Sequence, residues 1–113
     1  MVKGVDAGKY MRFEFRDADE TPQGEFLLLS PSDVVNIVEL RGFEIYPQYR
    51  GKGLSYDMLA YAVMEARNYK FPIMSLKVKR DNAAAVKLYT NTGFIVRRED
   101  TQRDELEMEL DIA

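Results

Sequence analysis

The stretch Gln48-Tyr49-Arg50-Gly51-Lys52-Gly53 constrains this 113-residue chain more than any other. It follows a run rich in Val, Ile and Phe that ends at Pro47. It precedes apolar positions at Leu59, Ala62, Val63 and Ala66, the i, i+3, i+4, i+7 stripe of an amphipathic helix. The order is therefore strand, glycine loop, helix. Such a junction collects free backbone N–H groups and the positive end of a helix dipole at one spot, which favours phosphate. Arg50 and Lys52 add positive charge there. Two well-known phosphate loops are excluded. A P-loop requires G-x-x-x-x-G-K-[ST], and a dinucleotide fingerprint requires G-x-G-x-x-G, whereas Gly51-x-Gly53 runs on into Leu54, Ser55 and Tyr56. Taken alone, two glycines are equally the mark of a plain tight turn.

The rest of the chain alternates between strand and helix patterns. Tyr10 to Phe15 places Met11, Phe13 and Phe15 on one face and Tyr10, Arg12 and Glu14 on the other, which predicts a half-buried strand. Asp17 to Gly24 reads as a turn, Glu25 to Leu29 as a second strand, and Ser30 to Asp33 as a break. Val34 to Tyr46 is expected to be a third strand, bent near Gly42. Leu54 to Asn68 is the first helix. Met74, Leu76 and Val78 alternate with Ser75, Lys77 and Lys79 in a further strand. Asp81-Asn82 signals an N-cap before a second helix, Ala83 to Thr92, which Gly93 ends. Phe94 to Arg98 and residues 104 to 112 complete the strands. The first nine residues lack a clear period and are expected to form an arm. This pattern predicts one α+β (mixed α/β) domain over residues 1–113, with about six strands in a mostly antiparallel sheet and two helices crossing between strands.

Composition removes whole classes of chemistry. The chain has no Cys, His or Trp, so thiolate nucleophiles, disulfides, Cys-ligated zinc and the usual imidazole base are absent. Any acid or base must be Asp, Glu, Tyr or Lys. No EF-hand spacing occurs, and no metal is expected. No 18-residue apolar run and no signal-like leader occur, so a soluble, cytoplasmic protein is expected. The charge is uneven: residues 50–98 hold ten bases against three acids, while the remainder holds six bases against sixteen acids. The middle of the chain is suited to receive an anion.

Two separate blocks carry a resemblance. The string Phe43-Glu44-Ile45-Tyr46-Pro47-Gln48-Tyr49-Arg50-Gly51-Lys52-Gly53 resembles the acetyl-CoA-binding segment of the GNAT superfamily of N-acetyltransferases, whose signature is [QR]-x-x-G-x-[GA] between a strand and a helix. Asn82-x-x-Ala85-x-x-Leu88-Tyr89-x-x-x-Gly93-Phe94 resembles a second block of that family, in the right order and at the right distance. The likeness implies a GNAT-like fold and acetyl-CoA as co-substrate. It also implies that loop amides from Gln48, Tyr49, Arg50, Gly51, Lys52, Gly53 and Leu54 wrap the coenzyme A diphosphate. By the same likeness, backbone at Phe43 to Ile45 would pair with the pantetheine arm and aim an N–H at the thioester oxygen. Asn82 would bond that arm, and Tyr89 would protonate the leaving thiolate. On the residues alone, Asn82 is equally an N-cap and Tyr89 equally a packed aromatic.

An attacking ammonium must lose a proton, and the third strand offers Glu39 and Glu44. Unbroken alternation puts them on opposite faces because their separation is odd. Glu39, acting through water, is the first choice, since some family members carry a base at that position. Glu44 is the second, because a bulge would swap faces. Members of the family normally begin with a strand and two helices that wall the acceptor pocket, and these are expected to be missing here. An open acceptor side suits a protein tail, completion of the groove in a homodimer, or loss of catalysis. The function expected is direct acetyl transfer from acetyl-CoA to an amine, small molecule or protein. Ping-pong transfer is disfavoured because no Cys can carry the acyl group. The alternative is a non-catalytic acyl-CoA-binding or protein-interaction module. Membrane and nucleic-acid partners are not expected, the latter because no RRM-type aromatic-basic platform occurs.

Overall fold

Strand β2, Tyr10–Arg16, forms because its apolar positions recur every second residue, and Phe13 is fully buried. The computed structural model describes residues 2–5, 10–30 and 36–113. Strand β3, Pro22–Leu29, returns antiparallel to β2 with Phe26 opposite Phe13, and the two rings stack with centroids 5.1 Å apart. Strand β4, Ile37–Ile45, is antiparallel to β3. Val34, Val35 and the Pro31–Asp33 break fall outside the described residues. Strand β5, Ile73–Lys79, runs parallel to β4, and strand β7, Glu105–Asp111, runs antiparallel to β5. Strand β6, Ile95–Asp100, is the outer strand beyond β7.

The arm expected at the N-terminus is corrected over part of its length. Strand β1, Val2–Val5, pairs antiparallel with β2 and makes the opposite edge of a seven-stranded sheet, ordered β1-β2-β3-β4-β5-β7-β6. Val-Lys-Gly-Val has no sharp period of two, so its pairing rests on the open backbone edge of β2 rather than on a side-chain pattern. A strand thus precedes the first one expected from the sequence.

Helix α1, Leu54–Asn68, carries the chain from β4 to β5, and helix α2, Ala83–Thr92, carries it from β5 to β6. Met58, Leu59, Ala62, Val63 and Ala66 of α1 are buried together with Leu88 and Tyr89 of α2. They share one core with the apolar face of the sheet, where Leu28 pairs with Leu40, Val38 with Met74 and Leu76 with Met108. The opposite face carries Arg12, Glu25, Glu39, Arg41, Lys77, Lys79, Glu105 and Glu107. Ion pairs cross it between Arg12 and Glu25, Arg41 and Glu39 (2.7 Å), and Arg98 and Glu107 (3.3 Å). Among the described residues no helix covers that face, and no helix is long and apolar enough to cross a membrane.

Candidate functional site

The site arises where two parallel strands part. β4 and β5 pair only at Ile37–Ile73, Val38–Met74 and Glu39–Ser75. Beyond that point Leu40 to Ile45 and Leu76 to Lys79 line opposite walls of a cleft of about 1360 Å³. The two strands keep their outer partners, β3 and β7, so the inner backbone groups of both are left without a ladder partner.

A bulge aims the β4 wall. Glu25 pairs with Glu44 but Leu27 with Arg41, so Gly42 and Phe43 together oppose Phe26. Gly42 takes φ +58°, a left-handed conformation that glycine reaches without strain. The bulge changes the expected arrangement of the two glutamates. The extra residue restores parity, so Glu39 and Glu44 lie on the same face, the one without helices, and both border the cleft. Their settings differ. Glu39 is only 13% exposed and takes Arg41 Nε at 2.7 Å, whereas Glu44 is 51% exposed and meets Arg50 at 3.3 Å.

Ladder geometry also directs the β4 backbone. The Tyr46 N–H donates to Gln23 C=O at 2.9 Å, which makes Gly24–Ile45 a non-bonded pair and turns the Ile45 N–H and C=O away from β3, toward the cleft. The Arg50 Nε–H occupies that carbonyl at 2.8 Å. Phe43 stands two residues earlier on the same side. Its ring meets the Tyr89 ring edge-on, with centroids 6.2 Å apart.

Pro47–Tyr49 forms one turn of 3-10 helix, in which the Tyr49 N–H donates to Tyr46 C=O and the Arg50 N–H to Pro47 C=O. Those two amides are therefore engaged, and the expected wrap of seven loop amides is narrowed. Among the described residues the N–H groups of Gly51, Lys52, Gly53 and Leu54 make no turn or cap bond of this kind. They lead into α1 where its first N–H groups have no intrahelical acceptor. Gly51 and Gly53 have φ of +78° and +76°, and a Cβ at either would meet nothing within 4 Å, so open space lies over these amides. Of the expected loop residues, Arg50, Gly51 and Gly53 border the cleft, and Gln48, Tyr49, Lys52 and Leu54 do not. Tyr49 and Leu54 pack against the core, and the Lys52 ammonium stands 5.8 Å from the Tyr49 ring centre.

The second block supplies the roof. Asn82 caps α2, its Oδ1 accepting the Ala85 N–H at 3.2 Å, while among the described residues its side-chain NH₂ has no partner. Tyr89 is 7% exposed and packed between Phe43 and Phe94, yet it borders the cleft and among the described residues its hydroxyl has no hydrogen-bond partner. Burial pushes its pKa up to about 12. The phenol is protonated at physiological pH, so it has a proton to donate and cannot serve as a phenolate base.

Sequence reasoning missed Ser55, Tyr56, Lys77, Lys79, Ala84, Lys87, Arg103 and Glu105 along the same cleft. The β5 members were open to inference, since a strand–helix–strand crossover sets its two strands parallel and frequently side by side. Arg103, in the turn before β7, carries no such local signal. Among the described residues no group of three or more carboxylates is placed to hold a metal ion.

The architecture is shared with known proteins. The model of the acetyltransferase (GNAT) family matches residues 14–94, spanning both blocks. No curated protein matches the sequence. Among solved structures, the dodecameric spermidine N-acetyltransferase of Vibrio cholerae in an intermediate state superposes with a TM-score of 0.84 at 21% identity, over 94% of this chain and 67% of that one. The Vibrio cholerae enzyme in complex with CoA and spermine gives 0.82 at 21% identity, over 91% and 66%. A putative acyl-CoA N-acyltransferase from Klebsiella pneumoniae gives 0.79 at 20% identity, over 96% and 77%. The chain spans about two thirds of the length of the spermidine enzymes. At such identities the structures establish a common fold, and the family model establishes kinship: the chain belongs to the acetyltransferase (GNAT) family, whose co-substrate is acetyl-CoA.

Proposed function

We propose that this chain holds acetyl-CoA between β4 and β5 and transfers the acetyl group directly to a primary amine. The observation that carries the proposal is the parting of β4 from β5, with Tyr89 packed against Phe43 at the level where the wall is bulged. When bound, acetyl-CoA supplies an activated acyl group and a thiolate leaving group. The residues present suit it. The amides from Gly51 to Leu54, under open space at the α1 N-terminus, receive the diphosphate. The inward backbone of Phe43 and Ile45 pairs with the pantetheine arm, and one of their N–H groups stabilises negative charge developing on the acyl oxygen. The Asn82 NH₂ donates to an amide carbonyl of the arm while its Oδ1 keeps the helix cap. Glu39 accepts the ammonium proton through water, and the Tyr89 hydroxyl donates to the departing sulfur. The acceptor enters from the sheet face without helices. Spermidine is the first amine to try, since the structural neighbours act on it. The cytoplasm is the compartment proposed.

The ion pairs of both glutamates, with Arg41 and with Arg50, favour a second reading. Carboxylate oxygens already held by a guanidinium are less free to receive a water or an ammonium, which suits a module that binds acyl-CoA without turning it over. One assay separates the readings: thiol release from acetyl-CoA with a panel of amines and lysine peptides. Amine-dependent thiol release supports transfer. Calorimetric binding of acetyl-CoA without such release supports the binding module, and no binding at millimolar ligand overturns both.

A further inference from the structure

On the sheet face without helices, the charges that border the cleft are unevenly satisfied. Where β4 and β5 last pair, Glu39 and Ser75 lie side by side on that face. One step further along it come Arg41 on β4 and Lys77 on β5, now on opposite walls of the cleft. The three carboxylates that border the cleft are all engaged. Glu39 holds Arg41 at 2.7 Å, Glu44 meets Arg50 at 3.3 Å, and Glu105 stands 4.0 Å from Lys79. Lys79 also donates to Arg103 C=O at 2.7 Å, and the Arg103 guanidinium stands 4.0 Å from Asp100. Lys77 is the exception on this face. It is exposed, and among the described residues its ammonium makes no ion pair or hydrogen bond, since Glu107, its register partner on β7, is taken by Arg98 at 3.3 Å.

An acceptor entering from this face meets one uncompensated cation and no uncompensated carboxylate. The second ammonium of a polyamine finds no free partner here, whereas an anionic group finds Lys77. Successive same-face residues on a strand are about 7 Å apart, so Lys77 stands about that far beyond Ser75, the neighbour of Glu39. Its flexible four-carbon stem spans a range of distances about that value. With the acceptor nitrogen at Glu39, an anion two or three carbons from that nitrogen lies within reach of the Lys77 ammonium. We infer that the acceptor is a small primary amine carrying a carboxylate or a phosphate, with Lys77 as the residue that selects it. The inference rests on the transfer reading proposed above. In the reaction the acetyl carbon gains its bond to the amine nitrogen and loses its bond to sulfur, and the ammonium proton passes through water to Glu39. The acceptor's anion takes no part in these bond changes and serves only to hold the substrate.

The test measures kcat/KM for thiol release from acetyl-CoA with two matched pairs of amines, β-alanine against β-alaninamide and phosphoethanolamine against ethanolamine, with spermidine alongside. It is run at low salt on the unaltered protein, Lys77→Gln, Lys77→Arg and Lys77→Glu. An exposed cation facing an anion predicts that the unaltered protein favours the anionic member of a pair about fivefold more than Lys77→Gln does, a comparison that cancels differences in amine basicity. A carboxylate acceptor shows this in the first pair and a phosphate acceptor in the second. Lys77→Arg keeps the preference, and Lys77→Glu turns it toward spermidine. Preferences unchanged by Lys77→Gln in both pairs, or spermidine as the best acceptor of the unaltered protein, overturn the inference while leaving the transfer reading intact. Absence of thiol release with every amine overturns the transfer reading and the inference together. Lys77 is exposed, so the variants fold, and equal melting temperatures and equal coenzyme A affinities verify this.

Discussion

Replacing Tyr89 with Phe separates the packing of this residue from its chemistry. The ring is held edge-on by Phe43 at 6.2 Å and Phe94 at 5.6 Å, and a phenylalanine ring in its place would keep both contacts. The hydroxyl has no hydrogen-bond partner among the described residues, so stability at neutral pH is expected to change by less than about 0.5 kcal/mol. Catalysis is expected to suffer. With its pKa at about 12, the phenol is a far weaker acid than a thiol near 8.5, and full proton transfer to the thiolate would run uphill by about 5 kcal/mol. Tyr89 therefore acts by donating a hydrogen bond to sulfur, and solvent completes the protonation. Losing a positioned donor of this kind predicts a fall in kcat of about 10²-fold, at the low end for proton donors, with coenzyme A affinity within about twofold. Burial also couples the group to stability. Its folded pKa lies above the unfolded value of about 10, so its contribution is fully present below pH 10 and is lost as pH rises to about 12, a loss of about 3 kcal/mol. Tyr89→Phe removes that loss and raises the alkaline unfolding midpoint. Steady-state thiol release and alkaline unfolding followed by circular dichroism measure both effects. An unchanged kcat would mean that the hydroxyl does not reach the sulfur, and a loss of more than about 2 kcal/mol at neutral pH would mean that it holds the fold.

Three further outcomes are expected. Asn82→Asp keeps the cap acceptor and removes the NH₂ donor, so the melting temperature stays near that of the unaltered protein while acetyl-CoA affinity falls severalfold; Asn82→Ala additionally costs about 1 kcal/mol, seen by thermal unfolding. Gly24→Ala places a Cβ 2.6 Å from the Glu44 carbonyl oxygen and 2.8 Å from Met58 Sδ, which predicts about 2–3 kcal/mol of destabilisation in denaturant titration. Glu39→Gln lowers thiol release by about 10²-fold and Glu44→Gln by much less; the reverse order in initial rates would make Glu44 the base.

The legible part of this fold is the part where one face of an element is buried. Met11, Phe13 and Phe15 announce β2, and the Leu59–Ala66 stripe announces α1, because side-chain period and burial agree there. Strand β1 was not legible, since it is held by the β2 edge and not by a pattern within Val-Lys-Gly-Val. Gly42 marked a bend, but that the bend would bring Glu39 and Glu44 to one face depends on β4 slipping against β3 at Phe26, which is information held in two strands. The engaged amides of Tyr49 and Arg50 follow from a 3-10 turn begun at Pro47. The glycine loop itself was plain in the sequence because only glycine occupies Gly51 and Gly53 at positive φ without strain. The far wall of the cleft, from Leu76 to Lys79, emerged only when β5 was seen to leave β4 after Ser75.

The central claim is that exposed main-chain nitrogens at the start of α1 grip a diphosphate while the parted strands hold the arm behind it. Residue-resolved NMR of the amide groups during a coenzyme A titration addresses it most directly. Diphosphate capture there produces saturable shifts led by Gly51, Lys52, Gly53 and Leu54, with Phe43 and Ile45 following. Shifts confined to other regions, or a spectrum unmoved at millimolar ligand, would contradict it.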